Sequence, residues 1–435
     1  MNLEKMEQKF NERNFRVLQN ATLRMGISDA VINNDVFAET IHVFSENIET
    51  GKVSNQKSSG RCWIFAALNT LRHKMNKEYN LENFELSQTY TFFWDKLEKS
   101  NFFLDAIIKT HNEDIDSRIV HHLLAVPQQD GGQWDMVVSL IQKYGVVPKS
   151  VMPEVYHSSN SAMLNTLLNK KLRLNAEILR NSDLDESGLY ELKETMMEEI
   201  YAFLCVMLGV PPKTFNFEYY DKNKKFHRDL NINPKDFYNK YINVDLNEYV
   251  SIINAPTKDK PFYEMFTVEY LGNVIGGKPV RYLNLPMDEF KKLAIRQISD
   301  GETVWFGCDV GQNSQRTLGI MDLNLFEFEK SFGIKFEQSK SSNLDYCESL
   351  MTHAMVLSGV NIIDDKSTRW KVENSWGEAN GEKGYFVMSD EWMDKYTYQI
   401  VVNKKYLSQE LQDKLNNDPI VLKPWDPMGS LAICK

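Results

Sequence analysis

The sequence predicts an α+β protein with a helical N-terminal half and a C-terminal half built as a β-sheet. Three observations predict it. Trp63, Ala66, Ala67, Leu71 and Met75 recur at steps of three and four, the period of one buried helix face. After residue 286 the apolar residues gather instead into short strand-length runs, at 303–310, 353–362, 369–374, 384–388 and 398–402. Between these regions lie amphipathic helical pieces punctuated by glycine and proline, with no sustained repeat and no low-complexity tract.

Taken in order, residues 1–50 read as a helical leader and an approach segment. Residues 51–154 hold the helix that starts near Cys62 and further helices, broken by Gly131-Gly132, Pro148 and Pro153. Residues 155–285 are expected to form a helical region, with a helix over 191–208 followed by an aromatic, lysine-rich stretch over 214–241. Residues 286–418 alternate a helix at 287–299 with the strands named above. Residues 419–435 form a C-terminal arm containing Asp426-Pro427-Met428-Gly429-Ser430-Leu431-Ala432.

The stretch Gln56-Lys57-Ser58-Ser59-Gly60-Arg61-Cys62-Trp63 delivers a cysteine to the start of the predicted helix, six positions after a glutamine. Backbone N–H groups in a helix's first turn lack intrahelical partners and stabilise a thiolate there. Attack of that thiolate on a carbonyl places negative charge on oxygen, which a side-chain amide such as Gln56 can receive together with a backbone N–H. Alone, Cys62 reads equally as a small buried hydrophobe. A nucleophile also needs a base and an orienter. His353 opens the apolar run 353–362, and Asn374 ends the next strand, so the two side chains are expected side by side on adjacent strands. An asparagine oxygen on one imidazole nitrogen holds the tautomer that leaves the other nitrogen for the thiol. Trp376 is placed to shield that bond from water.

Gln56, Cys62, His353 and Asn374 in this chain order, with Cys62-Trp63 and Asn374-Ser375-Trp376-Gly377, resemble the papain superfamily of cysteine peptidases. Papain-like enzymes place the His and Asn about 130–150 residues after the Cys, whereas His353 follows Cys62 by roughly 290, which calls for a large insertion. That insertion, together with 86–96, Asp130-Gly131-Gly132-Gln133-Trp134 and the tail motif, is similar to the bleomycin hydrolase and bacterial aminopeptidase C family. The resemblance covers nearly the whole chain. It implies a two-lobed papain-like fold: a helical lobe over 51–154, an inserted oligomerisation region over 155–285, a β lobe over 286–418 and an arm directed to the active site.

The same resemblance implies a cysteine aminopeptidase that takes peptides with a free N-terminus and assembles as a homohexamer. Gly131 and Gly132 would line the substrate cleft, where the residues alone suggest equally a tight turn before a helix at Trp134. Ala432 would mark the terminus that stops the substrate. The encoded chain departs from that pattern by continuing through Ile433-Cys434-Lys435, so trimming toward Ala432 is expected. Two alternatives share the fold: an endopeptidase with an open cleft, and a binding protein with weakened catalysis.

Composition agrees. At 435 residues, 42% hydrophobic and 25% charged, the chain has the balance of a globular protein with two or three domains. A formal net charge of −10 disfavours a nucleic-acid role, which needs a concentrated basic face. The five cysteines, Cys62, Cys205, Cys308, Cys347 and Cys434, are widely spaced and resemble neither a zinc ribbon nor a disulfide framework. His111, His121 and His122 lack metal-ligand spacing, and neither a metal nor another cofactor is predicted. The charged N-terminus lacks a secretory core, and the apolar run 201–210 stops at Pro211-Pro212, too short to span a bilayer. A cytoplasmic location is expected.

Overall fold

A computed structural model of the chain describes residues 1–431. The helix that begins at Cys62 runs from Cys62 to Glu78. Its first seven residues, Cys62 to Leu68, are all buried, as are Leu71 and Met75 farther along. The periodicity predicts one buried face, and the C-terminal half obeys it. The N-terminal half is enclosed on every side because it runs between the sheet and the helices Gln88–Lys109 and Trp134–Tyr144. Alanines at 66 and 67 allow that close approach.

Twelve of the strands among the described residues join into one sheet, and the other two form a separate hairpin. The centre of the sheet is antiparallel: Val304–Cys308 pairs with His353–Ile363, which pairs with Lys366–Glu373, which pairs with Tyr385–Ser389. Side chains alternate across it with the period of two that strands impose. Trp305, Ala354 and Val356 enter the core shared with the Cys62 helix. Val304, Phe306, Met355 and Leu357 enter a second core under the helix Met287–Ser299. Burial on both faces explains why Val304–Cys308 and His353–Ile363 read as apolar runs, whereas Lys366–Glu373, exposed at its start, does not. The fold class is the expected α+β.

The region 155–285 differs from its expectation of a helical insertion. It is helical over Ala162–Arg180 and Glu186–Leu208, then turns into a hairpin, Phe215–Tyr220 with Phe226–Ile232. Beyond the short helix Pro234–Tyr241, three strands, Tyr249–Ile253, Met265–Val268 and Tyr282–Asn284, enter the main sheet beside Thr397–Asn403. Their apolar runs are three to five residues long, below the length at which periodicity distinguishes a strand from a loop. The leader is helical at Leu3–Glu12, Arg16–Met25 and Asn34–Glu39, then pairs Glu46–Asn47 with Gly359 and Val360. No helix among the described residues is long and apolar enough to cross a membrane.

Candidate active site

The turn before the helix is held by Gln56. Its backbone N–H donates to Ser375 O at 2.8 Å. Its side-chain Nε2 donates to Ser59 O at 2.6 Å, and its Oε1 accepts from Ser375 Oγ at 2.6 Å. A carbonyl can only accept, so the Ser59 contact settles which end of the amide is nitrogen. The second Nε2 hydrogen remains for another acceptor. Gln56 is buried, and no side chain caps the helix at Arg61 among the described residues.

Arg61, absent from the sequence-level candidates, anchors this turn from below. Its guanidinium is wholly buried, forks onto Glu154 at 3.0 and 2.7 Å, and lies over the rings of Phe65 and Phe92. Burial works to raise the Glu154 pKa, but Arg61 outweighs it and holds the carboxyl below its ordinary range.

His353 is the first residue of its strand, and Asn374 follows directly on the last residue of the next. His353 Nε2 lies 2.9 Å from Asn374 Oδ1, which also accepts from Ser375 N–H at 2.7 Å. The Ser375 contact identifies Oδ1 as the oxygen, so Nε2 is the donor and carries the ring hydrogen. The Trp376 indole stacks on the imidazole with centroids 4.9 Å apart and planes inclined by 29°. The helix led by Cys62 packs on this strand through Ala354 and Val356, and Trp305 Nε1 donates to Trp63 O at 3.2 Å. Asn55 bridges to Trp376. The glutamine turn, the histidine strand and the asparagine turn are thus tied to one another directly. Cys62, His353 and Asn374 are all buried.

Gly132 lies against Trp63, the residue that follows Cys62, and Gly131 precedes it in the same loop. A Cβ on Gly132 would fall 2.5 Å from the Trp63 ring, so the position tolerates only glycine in this packing. Trp63 Nε1 donates to Asp130 O at 2.6 Å, and Asp130 Oδ2 accepts from Gly60 N–H at 2.9 Å. Lys99 Nζ donates to Gly131 O at 2.6 Å. One loop therefore contacts both sides of the nucleophile turn. Asp130 also pairs with Lys96 at 2.7 Å; burial would raise its pKa, yet Lys96 with the Ser161 and Gly60 donors drives it far down. Lys96 and Lys99 lay hidden because buried lysines look like surface lysines in a sequence.

The C-terminal segment is fastened to the segments around these loops. Ile420–Leu422 pairs with Met265–Val268, Lys260 meets Asp426 at 2.9 Å, and Tyr282 OH donates to Met428 O at 3.3 Å. Ser430 then donates from Oγ to Met351 O at 2.6 Å and accepts at its carbonyl from Gln133 Nε2 at 2.8 Å. Gln133 follows the glycine pair and Met351 lies two residues before His353. Ala432 lies outside the described residues.

The family model of the Peptidase C1-like family matches residues 1–429. Aminopeptidase C of Listeria innocua is 56% identical over 432 residues, covering 99% of this chain and 98% of that one. Aminopeptidase C of Lactococcus lactis is 52% identical over 431 residues, at 99% and 98% coverage. Bleomycin hydrolase of Gallus gallus is 42% identical over 434 residues, at 97% and 95%. The crystal structure of PepW from Lactobacillus rhamnosis superposes with a TM-score of 0.98 at 53% identity, covering 99% of this chain and 98% of that one.

Proposed function

Because the chain belongs to the Peptidase C1-like family, we propose that it is a cysteine aminopeptidase that removes N-terminal residues from peptides with a free amino group. Cys62 is the nucleophile. His353 takes the thiol proton at Nδ1, the nitrogen that Asn374 does not engage, and the resulting thiolate attacks the first peptide carbonyl. The Gln56 amide and the Cys62 backbone N–H receive the oxyanion. His353 returns the proton to the departing amine, and then activates the water that hydrolyses the thioester. Asn374 keeps the ring oriented, and Trp376 covers the His353–Asn374 bond. Gly131 and Gly132 run beside the substrate backbone.

The observation that carries exopeptidase action is the course of the arm. Ser430 is strapped between Gln133, which follows the glycine pair, and Met351, two residues before His353, and this anchoring supports an arm that ends beside the nucleophile. Once Ile433, Cys434 and Lys435 are trimmed, a carboxylate at Ala432 would block longer substrates and pair with the substrate ammonium. Assembly as a homohexamer and a cytoplasmic location belong to the same reading. The exposed apolar residues Met163, Leu167, Leu174 and Ile178 along one helix, and Leu3, Met6 and Phe10 along another, support an assembled state.

The test is a panel of peptides with free and N-acetylated termini. Cleavage only of free termini, one residue at a time, supports the reading. Cleavage of acetylated peptides at internal bonds would make the protein an endopeptidase, and a folded protein that binds peptides without cleaving them would make it a binding protein.

A further inference from the structure

The indole that stacks on His353 also carries a cation. The Arg316 guanidinium lies 4.5 Å from the Trp376 ring centroid. Its Nε donates to Asn380 Oδ1 at 3.3 Å, and Asn380 Nδ2 donates to Trp376 O at 2.8 Å, so arginine, asparagine and tryptophan form one closed unit. The loop bearing Arg316 is fastened to the loop after Trp376. Gly381 N–H donates to Thr317 O at 3.0 Å. A Cβ on Gly319 would fall 2.5 Å from Gly381 Cα, and both glycines have positive φ, at 68° and 58°. Neither loop can withdraw without losing this contact.

Arg316 is exposed, and among the described residues it enters no ion pair and its two terminal nitrogens donate to no acceptor. The loop it faces carries two carboxylates, and neither pairs with it: Glu378 lies 3.5 Å from Lys52, and Glu382 lies 3.4 Å from His42, whose pKa burial lowers. A chain with a net charge of −10 thus leaves one fixed cation unneutralised beside its candidate base. Stacking holds the guanidinium plane in place before any ligand arrives, and its fork matches a carboxylate.

This placement sets what Arg316 would meet, given the aminopeptidase reading, on which it rests. His353 protonates the leaving amine, so the leaving part of the peptide starts at the imidazole and passes the indole. Extended chain advances about 3.4 Å per residue. One indole separates the imidazole from the guanidinium, so a carboxylate one to three residues past the scissile bond comes within its reach. We propose that Arg316 is a specificity-determining residue that receives a carboxylate on the leaving side of the substrate. The carboxylate is either the C-terminus of a short peptide or an acidic side chain close behind the cleaved bond.

The experiment compares kcat/KM for two substrate pairs, with wild type, Arg316→Gln and Arg316→Lys. One pair is a neutral tripeptide as free acid and as C-terminal amide. The other is an amidated pentapeptide with Glu or Gln at the third position. Wild type is expected to favour the carboxylate member of at least one pair by about fivefold at low salt, less at high salt. The responding pair identifies the carboxylate's source. Arg316→Gln should bring the ratio to about one and Arg316→Lys to an intermediate value, since lysine keeps the charge without the stacked fork. A wild-type ratio of one in both pairs overturns the inference. So does a ratio that survives Arg316→Gln, including the case in which both members slow equally, which would make Arg316 a prop for Trp376. Failure of wild type to cleave even the neutral amides is a different result: it overturns the aminopeptidase reading, and this inference with it.

Discussion

Glu373 ends the strand that presents Asn374, and its carboxylate is bound almost entirely by the helix that presents Cys62. Oε1 accepts from Asn69 Nδ2 at 3.0 Å and Arg72 Nη2 at 2.9 Å, and Oε2 faces His73 Nε2 at 3.1 Å. Glu373 and Arg72 are both buried. Burial alone would raise the Glu373 pKa, but His73 and Arg72 outweigh it and bring it from 4.5 to about 2; burial also lowers the pKa of His73, so at neutral pH the charge paired with this carboxylate is Arg72. A depressed carboxylate pKa contributes stability that is complete above 4.5 and lost as pH falls through 2. That difference, at 1.36 kcal/mol per pH unit, is about 3 kcal/mol. Breaking a buried pair from one side costs about 3–5 kcal/mol, in agreement. Glu373→Gln should therefore lower the urea midpoint at pH 7 by the equivalent of about 3 kcal/mol, followed by tryptophan fluorescence. The gap should narrow as pH is lowered from 5 toward 3, because wild type then loses what the variant already lacks. Equal midpoints at pH 7, or a gap that stays constant down to pH 3, would refute the assignment of this carboxylate as the ionic tie between the elements that carry Cys62 and Asn374.

The remaining predictions concern the reaction. Cys62→Ala and His353→Ala should each lower turnover by orders of magnitude in folded protein, and Asn374→Ala by less, since it orients rather than reacts; near-normal turnover in Cys62→Ala would end the nucleophile assignment. Gln56→Ala should reduce kcat about a hundredfold to a thousandfold, and Ser375→Ala, which removes only the hydroxyl on Gln56 Oε1, should cost less. The reverse order would place the oxyanion elsewhere. Gly132→Ala forces a Cβ to 2.5 Å from a buried indole, so kcat/KM should fall together with thermal stability; an unchanged melting temperature would contradict the close packing on Trp63. Truncation before Met428 should open the site to N-acetylated peptides, and a folded truncated enzyme that still refuses them would remove the arm from the mechanism.

Much of the site was legible because its chemistry needs particular residue types in particular local settings. A cysteine after a glycine turn at a helix start, a glutamine six residues earlier and a histidine opening an apolar run are each visible within a few positions. The candidate strand order followed from an apolar run and a second strand close behind it, and the structure pairs them antiparallel with Val356 opposite Glu373. The short strands Met265–Val268 and Tyr282–Asn284 were not legible, because they become strands only by meeting an existing sheet edge.

Local sequence by itself determined the elements and the chemical identities: the Cys62 helix, the histidine and asparagine strands, and the residues able to act as nucleophile, base, orienter and oxyanion donor. Only the tertiary structure decided which charges are buried and which are left over. Asp130, Lys96, Lys99, Arg61 and Glu373 look in the sequence like the solvated charges they resemble, yet each is withdrawn from water and matched to a partner distant along the chain, Lys99 through Gly131 O. Arg316 is the opposite case, a surface arginine with which neither carboxylate of the facing loop pairs. The reason is physical: helix and strand periods arise from local backbone geometry, whereas the environment of a charge depends on dielectric and partners that exist only after distant segments have packed.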